Sequence, residues 1–502
     1  MRTPPLSSPF ACLLPVLSLS LPCHAQNDAL RSYGSATPGA VGAPELWAND
    51  APRQAPGLPF AFTIANTAAT SAAFPVVAFA AAHTTIAGLE VDLPPSAAVV
   101  LPLVVTDTHG AASVPLSIPA APPLLGLDLF AQVIVVDATS ASPLHLTSSR
   151  GLQVSIAGPP QLFVAEVAGS LQEAIDLTTG TSSVVGASAS NIAAYSRDGR
   201  RLFLQGAATG VGGRSVGLVR FFDTSGAAPT PLVSPPTFPT AGVSVNRLVL
   251  TPDGHRLYVV EGNQPSFGFV EVLDADPASP GFGTPVVPPV TMPFTVPLDL
   301  AFAPDGRRAY VSPIGINVPI SIAVLDTDPA SATYHQIVGG VPVPGSPICC
   351  AIEMDPAGQF LYIALNSGGA EDIAVLDVTT MTLVDFDPST PGTQYMAWLY
   401  PLGAYINDMV VLPRGGQLLI GERGGVRLLD ALPGSATLGN SVFVPLGSSA
   451  LANVFAIAAS PAGDRLYAGE YTSHQVTEFD ATLSTVLRIW PTINAPEGLG
   501  IR

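Results

Sequence analysis

The apolar positions of this chain come in short runs of Val, Ile, Leu and aromatic residues. Each run is closed off by Pro, Gly or Asp, the pattern of many short strands. The stretch Thr251-Pro252-Asp253-Gly254-His255-Arg256-Leu257-Tyr258-Val259-Val260 shows the unit. Proline presets φ for a tight turn, and glycine accepts the positive φ that such a turn requires. The Leu-Tyr-Val-Val behind it has the β-branched and aromatic composition of a strand.

The unit returns along the last two-thirds of the chain. Its turn recurs as Ser196-Arg197-Asp198-Gly199, Thr251-Pro252-Asp253-Gly254, Ala303-Pro304-Asp305-Gly306, Asp355-Pro356-Ala357-Gly358, Leu412-Pro413-Arg414-Gly415 and Ser460-Pro461-Ala462-Gly463. The strand behind the turn recurs at Leu162-Phe163, Leu202-Phe203, Leu257-Tyr258, Ala309-Tyr310, Leu361-Tyr362, Leu418-Leu419 and Leu466-Tyr467. A later strand ends in Asp176, Asp223, Asp274, Asp326, Asp377, Asp430 and Asp480, spaced 47, 51, 52, 51, 53 and 50 residues apart. These aspartates have a structural explanation, since a carboxylate at a strand end bonds the amides of the following turn.

An all-strand period of about 50 residues predicts one four-stranded blade per repeat. A single blade cannot bury both of its faces, so neighbours must stack and the array must close. The first repeat starts at its second strand, Gln161-Leu162-Phe163-Val164, with no turn before it. The last residues, 495–502, match the strand that elsewhere precedes the turn. Residues 161–502 therefore read as a seven-bladed β-propeller whose first blade is completed by the C-terminal strand.

The proline-started strand, the Pro-Asp-Gly-x-Arg turn, Leu-Tyr-Val, and the Val-x-Val-x-Asp strand followed by a Thr-Val segment resemble the YVTN-type β-propeller repeat. The segment from Ile373 to Val384 is a good example. The resemblance covers about 160–502 and implies a propeller whose relatives include proteins described as lactonases. The chain departs from it in mostly lacking the asparagine after Tyr-Val-Thr, and in long connections such as Asp385 to Leu402.

Residues 26–157 lack the repeat. Their extended runs are Phe60 to Ile64, Ala97 to Val105, Ala112 to Ile118, Leu129 to Val136 and Leu152 to Ile156, with Thr106 to Gly110 as a hairpin loop. About seven strands at this spacing predict a small antiparallel β-sandwich. The order of Thr106 to Pro115, Leu124 to Leu127 and Thr147 to Leu152 resembles an accessory β-sandwich module of large secreted bacterial proteins. His83, His109 and His145 lie far apart without a ligand pattern and read as loop or surface residues. Gly158-Pro159-Pro160 is a short, stiff linker to the propeller.

Composition agrees with an all-β chain, since hydrophobic residues make up 48%, charged residues only 11%, and 52 Pro and 47 Gly punctuate the sequence. A net charge of −18 argues against nucleic-acid binding, which needs a basic footprint. Mean hydropathy is +0.43, yet beyond the N-terminus every apolar run is broken before the roughly 18 residues of a spanning helix, so no transmembrane segment is expected. Residues 1–25 have a charged start, an apolar core and small residues at Cys23 and Ala25, the form of a signal peptide cleaved before Gln26. A secreted, periplasmic or cell-surface protein follows as the expectation, and a monomer.

Cleavage leaves two adjacent cysteines, Cys349 and Cys350, either as a vicinal disulfide or as two thiols, one buried and one facing the channel.

Candidate chemistry lies where the innermost strands begin, over the central channel. Eight residues before each turn glycine stand Asn191, Asn246, Leu298, Cys350, Asn407 and Phe455, and Glu497 takes the matching place in the last strand. Asp299 and Asp408 follow two of them directly. Loops on the same face add Glu261, Asn263, Asn366, Glu371, Asp372, Glu422, Arg423, Glu470, Tyr471 and His474. Convergent polar groups over a pocket are a binding-site signature, and a water-filled channel is the other reading of the same lining.

The leading function is a non-catalytic scaffold that recognises a protein or carbohydrate ligand on this face, with no cofactor. The second is a lactonase-like hydrolase with a divalent cation above the channel that polarises a carbonyl, held by an acidic ring with His474 and bound by Asp408 and Glu497. His255 lies on the opposite-face turn, and the sequence contains no Gly-x-Ser-x-Gly, His-Glu-x-x-His or P-loop motif.

Overall fold

The computed structural model describes residues 30–39, 42–48, 60–108, 110–116, 127–138, 140, 142–155, 161–166, 171–177, 179–187, 193–195, 201–209, 215–224, 230–232, 244–263, 267–277, 279–294, 296–313, 320–343, 348–366, 371–385, 396–398, 406–413, 415–446, 453–460 and 463–501. Among them there is no helix; every regular element is a strand. The signal peptide, the linker 158–160, the turn 196–199, His109 and Asn191 lie outside the described residues.

In the N-terminal part, strands Leu30–Tyr33, Gly151–Ser155, Asp128–Val136, Ala72–Ala78 and Val99–Val100 pair in that order. Glu45–Ala48, Phe60–Ala65 and Ala112–Leu116 form a second sheet. Burial along Phe60–Ala65 alternates residue by residue, so one face is turned inward. Phe60, Phe62 and Ile64 share one core with Val77, Leu129, Ala131, Val133 and Val154 of the larger sheet, the two-layer arrangement expected.

Two local expectations change. The run from Ala97 to Val105 splits into Val99–Val100 and Val104–Val105, both on the edge of Ala72–Ala78. Pro102, between them, has no N–H to continue a ladder. The segment Thr106 to Gly110 is a crossing between sheets and not a hairpin loop, since Val104–Val105 pairs in one sheet and Ala112–Leu116 in the other. The buried Thr106 holds the corner, its hydroxyl accepting from the Ser71 amide at 2.9 Å.

Among the described residues from 161 onward the strands form seven sheets; five of them hold four strands in sequence order, the first takes a strand from the far end of the chain, and the fifth holds five. The second blade is Ala193–Tyr195, Arg201–Thr209, Ser215–Asp223 and Thr230–Pro231, and the third is Ser244–Leu250, Arg256–Asn263, Phe267–Asp274 and Val290–Thr291. In the first, Ser182–Ala187, Leu171–Asp176 and Gln161–Glu166 are completed by the distant Pro496–Ile501. That strand pairs antiparallel with Gln161–Glu166, Leu162 opposite Ile501 and Val164 opposite Leu499. The innermost strands neighbour one another in a closed circuit, and the C-terminal strand stands between those of the seventh and second blades.

Seven apolar cores lie between adjacent blades. The last of them joins Leu162, Val164 and Ile175 to Ala456, Tyr467 and Trp490 of the seventh blade. The chain is an all-β protein with a β-propeller.

The fifth blade carries an additional strand, Met396–Trp398, on the same side of Glu371–Asp377 as Thr382–Leu383. The first pairs with Glu371, Asp372 and Ile373, the second with Leu376 and Asp377. Both run antiparallel along one line, so the long connection begun at Asp385 is an insertion into the outermost strand.

In each of the five described turns the glycine amide bonds the carbonyl three residues earlier, as from Gly254 to Thr251 at 2.7 Å and from Gly358 to Asp355 at 2.9 Å. The turns also touch their neighbours. A Cβ on Gly358, whose φ is +72°, would lie 2.8 Å from Cδ of Pro304 in the preceding blade's turn. Gly358→Ala is therefore expected to destabilise the protein by about 1–3 kcal/mol through backbone strain and this clash. Chemical denaturation reads this, and an unchanged midpoint would show the contact to be soft. The strand-end aspartates serve their own turns, Asp274 accepting from the Asp276 amide at 3.0 Å and Asp377 from that of Thr379 at 2.8 Å.

Candidate functional site

The described positions eight residues upstream of the turn glycines share one backbone feature. Pairing of the innermost strand with the second slips by one residue between Val245 and Arg247, Pro297 and Asp299, Cys349 and Ala351, Ile406 and Asp408, and Val454 and Ala456. The closing strand slips between Gly498 and Pro496. The extra residues are Asn246, Leu298, Cys350, Asn407, Phe455 and Glu497, so the sequence offset finds a recurring β-bulge. A bulge leaves one residue outside the ladder and re-aims its side chain.

Several of these side chains are committed to the next blade. The Asn246 amide donates to the Pro297 carbonyl at 2.7 Å, and the Asn407 amide donates to that of Val454 at 3.0 Å. The residue after the bulge acts in the same direction. Buried Asp299 accepts from the amides of Leu300 at 2.8 Å and, in the next blade, Ile352 at 3.0 Å. Asp408 repeats the arrangement with Met409 at 2.8 Å and Ile457 at 2.9 Å.

Innermost strands have an edge without a ladder partner, and a carboxylate that accepts a buried edge N–H satisfies it with a charge-assisted bond. Arg247, one residue after a bulge in the third blade, reaches Asp299 in the fourth at 2.9 Å. Polar side chains at the channel thus tie the third blade to the fourth, the fourth to the fifth and the sixth to the seventh.

The remaining candidates spread over the face. Glu497 is buried. The Phe455 ring meets Tyr471 edge-on, with centroids 5.2 Å apart. His474 is exposed with a φ of +51°, in the turn between Arg465–Glu470 and Gln475–Asp480. Glu422 pairs with Arg427 at 3.1 Å, and Glu470 accepts from Gln475 at 3.0 Å. The backbone at Cys349 and Cys350 lies in Ile348–Met354, but their side chains fall outside what is described, as do those of Asn263, Asn366 and Glu371.

Among the described residues no three His, Cys, Asp or Glu side chains are grouped so as to hold a metal ion. His335 is buried against Tyr258, with Nε2 2.8 Å from its hydroxyl, and burial holds its pKa down to about 4. In the N-terminal part His83 sits between Asp92 at 2.8 Å and Glu90 at 3.3 Å, and its bond to Asp92 raises its pKa.

Sequence reasoning passed over Arg247 and Glu271. Both are charged residues inside strands of a chain with few charges, which was the available signal. Glu261 and Glu271 are both buried, and burial together with the neighbouring Glu271 pushes Glu261 up to about 9. Burial pushes Glu271 up to about 7.

Comparison with known proteins adds the fold class alone. No protein-family profile and no curated protein matches the chain. Among solved structures, a protein of unknown function from Desulfotomaculum acetoxidans superposes with a TM-score of 0.51 at 14% identity, covering 68% of this chain and 98% of that one. A 6-phosphogluconolactonase candidate of Bacteroides uniformis gives 0.49 at 14% identity, over 68% and 99%. The β-propeller domain of Myceliophteria thermophila Cps50 (Swd1) gives 0.43 at 13%, over 62% and 88%. At these identities the likeness is one of fold.

Proposed function

We propose that the chain is a non-catalytic propeller scaffold that binds a protein or carbohydrate ligand over the channel mouth, built from YVTN-type repeats. The carrying observation is that Asn246, Asp299, Asn407 and Asp408 are bonded to backbone groups of the neighbouring blade. A carboxylate whose two oxygens each accept a buried amide is placed to stiffen the ring, and general-base or cation-binding work would compete with those bonds. These residues then act as a rigid frame, and recognition falls to Phe455, to Tyr471 against it and to the exposed His474. In this proposal residues 1–25 direct export, residues 26–157 form a sandwich module, and the mature protein is a monomer working outside the cytoplasm.

The test presents residues 26–502 to a glycan array and to a panel of extracellular proteins, beside Phe455→Ala and His474→Ala. The expected result is a ligand whose binding falls at least about tenfold in one of these variants while the melting temperature holds, equivalent to about 1.4 kcal/mol. Lactone hydrolysis that requires an added divalent cation and disappears in a folded Asp408→Asn variant would replace this reading with the hydrolase.

A further inference from the structure

We propose that Glu261 and Glu271 hold a shared proton in the seam between the second and third blades, making that seam, beside the channel mouth, sensitive to pH. The two residues sit on adjacent strands, Arg256–Asn263 and Phe267–Asp274, where Val259 pairs with Glu271 and Glu261 with Phe269. That register puts both carboxyls on one face as diagonal neighbours. Val259 and Leu273, on the same face, belong to the core shared with the second blade, so both carboxyls point into this seam.

Glu261 is 2% exposed and Glu271 1%, and among the described residues Oε1 of Glu261 and Oε2 of Glu271 have no hydrogen-bond partner. Two ionised carboxylates side by side and out of water would repel and lack solvation, so the pair keeps a proton.

The sixth blade supplies an internal comparison. There Ile420 pairs with Arg427, and Glu422 lies two residues beyond Ile420, the same geometry as Val259, Glu271 and Glu261. Glu422 and Arg427 make an ion pair at 3.1 Å. In the third blade a second acid stands where the sixth has its arginine, so a proton must supply the positive charge.

Among the described residues nothing charged faces the pair to do so instead. Across the seam, residues 205–209 of Arg201–Thr209 and 215–219 of Ser215–Asp223 include no charged residue. Phe203 and Val219 face the third blade, as does Gln205, the cross-strand partner of Val219. Arg201 and Asp223 lie at the far, turn end of those strands. Arg220 pairs with Leu204, which belongs to the core shared with the first blade, so it faces away. On the innermost strand of the third blade, Val245 and Leu248 face the seam, while Arg247 is engaged by Asp299 of the fourth blade.

Because burial raises the folded pKa values of both acids above that of an unfolded glutamate, the associated stability is full below about pH 4.5 and is lost as pH rises through about 7 and about 9. For each proton held, the folding equilibrium constant falls up to about tenfold per pH unit in that window.

The experiment follows thermal unfolding of the full chain from pH 5 to pH 9 for the parent, Glu261→Gln, Glu271→Gln and Glu271→Arg. The parent is expected to lose melting temperature across the window. Both glutamine variants should lose markedly less, and Glu271→Arg, which rebuilds the sixth-blade pair, should become nearly flat. Parent and glutamine variants with parallel pH profiles would overturn the proposal even if Glu271→Arg fails to fold. Calcium chloride or magnesium chloride at pH 8 that raises the melting temperature of the parent, but not of Glu271→Gln, would also overturn it, because a cation would then be bridging the pair.

Discussion

Deleting residues 494–502 is expected to lower the melting temperature of the propeller by at least about 10 °C, or to prevent folding. The removed strand is the innermost strand of the first blade, and Leu499 and Ile501 are fully buried against the first and seventh blades. Burying two such side chains contributes about 3–6 kcal/mol, against a net stability of about 5–15 kcal/mol for a whole protein. The loss reaches further, because without this strand Gln161–Glu166 presents an open edge and the circuit of innermost strands is broken between the seventh and second blades. Repeat arrays draw their stability from interfaces between neighbours, and here two interfaces depend on one strand. Differential scanning calorimetry decides the matter, and a truncated chain that melts with the parent would mean that the ring does not rely on this closure.

Asp299→Ala is expected to be the most damaging single substitution at the channel, at about 3–5 kcal/mol. It removes the acceptor of two buried amides and the counter-charge of Arg247, whose side chain is itself buried. Breaking a buried pair from one side is costly because the surviving charge remains out of water. The double variant Arg247→Met with Asp299→Leu should recover much of the loss, since replacing both partners with apolar groups leaves no orphan. A cycle built from the two single variants and the double one measures the coupling directly. If Asp299→Ala costs less than about 1 kcal/mol, the blade-to-blade bonds do not carry the ring's rigidity, and the scaffold reading fails.

Legibility differed from place to place along the chain. The Pro-Asp-Gly turns were readable because their geometry is set within four residues by the φ of proline and glycine. The count of strands in the first repeat, together with the unpaired strand at the end, was enough to expect closure by Pro496–Ile501. Counting back eight residues from each described turn glycine reached a bulge, because strand length between mouth and turn repeats from blade to blade.

What the polar side chains do there was not readable. In the sequence Asn246, Asn407, Asp299 and Asp408 look like groups offered to a ligand, whereas each bonds a partner about 50 residues away in the next blade. The hairpin expected at Thr106 to Gly110 shows the same limit in the N-terminal part. Two strands adjacent in sequence joined different sheets, a choice made by which apolar faces met in the core.

By itself the sequence determined the all-β character, the period of about 50 residues, the turn-bearing face and the strand that completes the first blade. These depend on local backbone preferences and on counting, both of which survive without knowledge of packing. Only the tertiary structure decided that several polar residues at the channel bond to the next blade, that Arg247 answers Asp299, and that Glu261 and Glu271 share a seam in which no described residue supplies a counter-charge. Those outcomes depend on which side chains from neighbouring blades are buried together, and burial is what converts an ordinary carboxylate into a staple or a proton store.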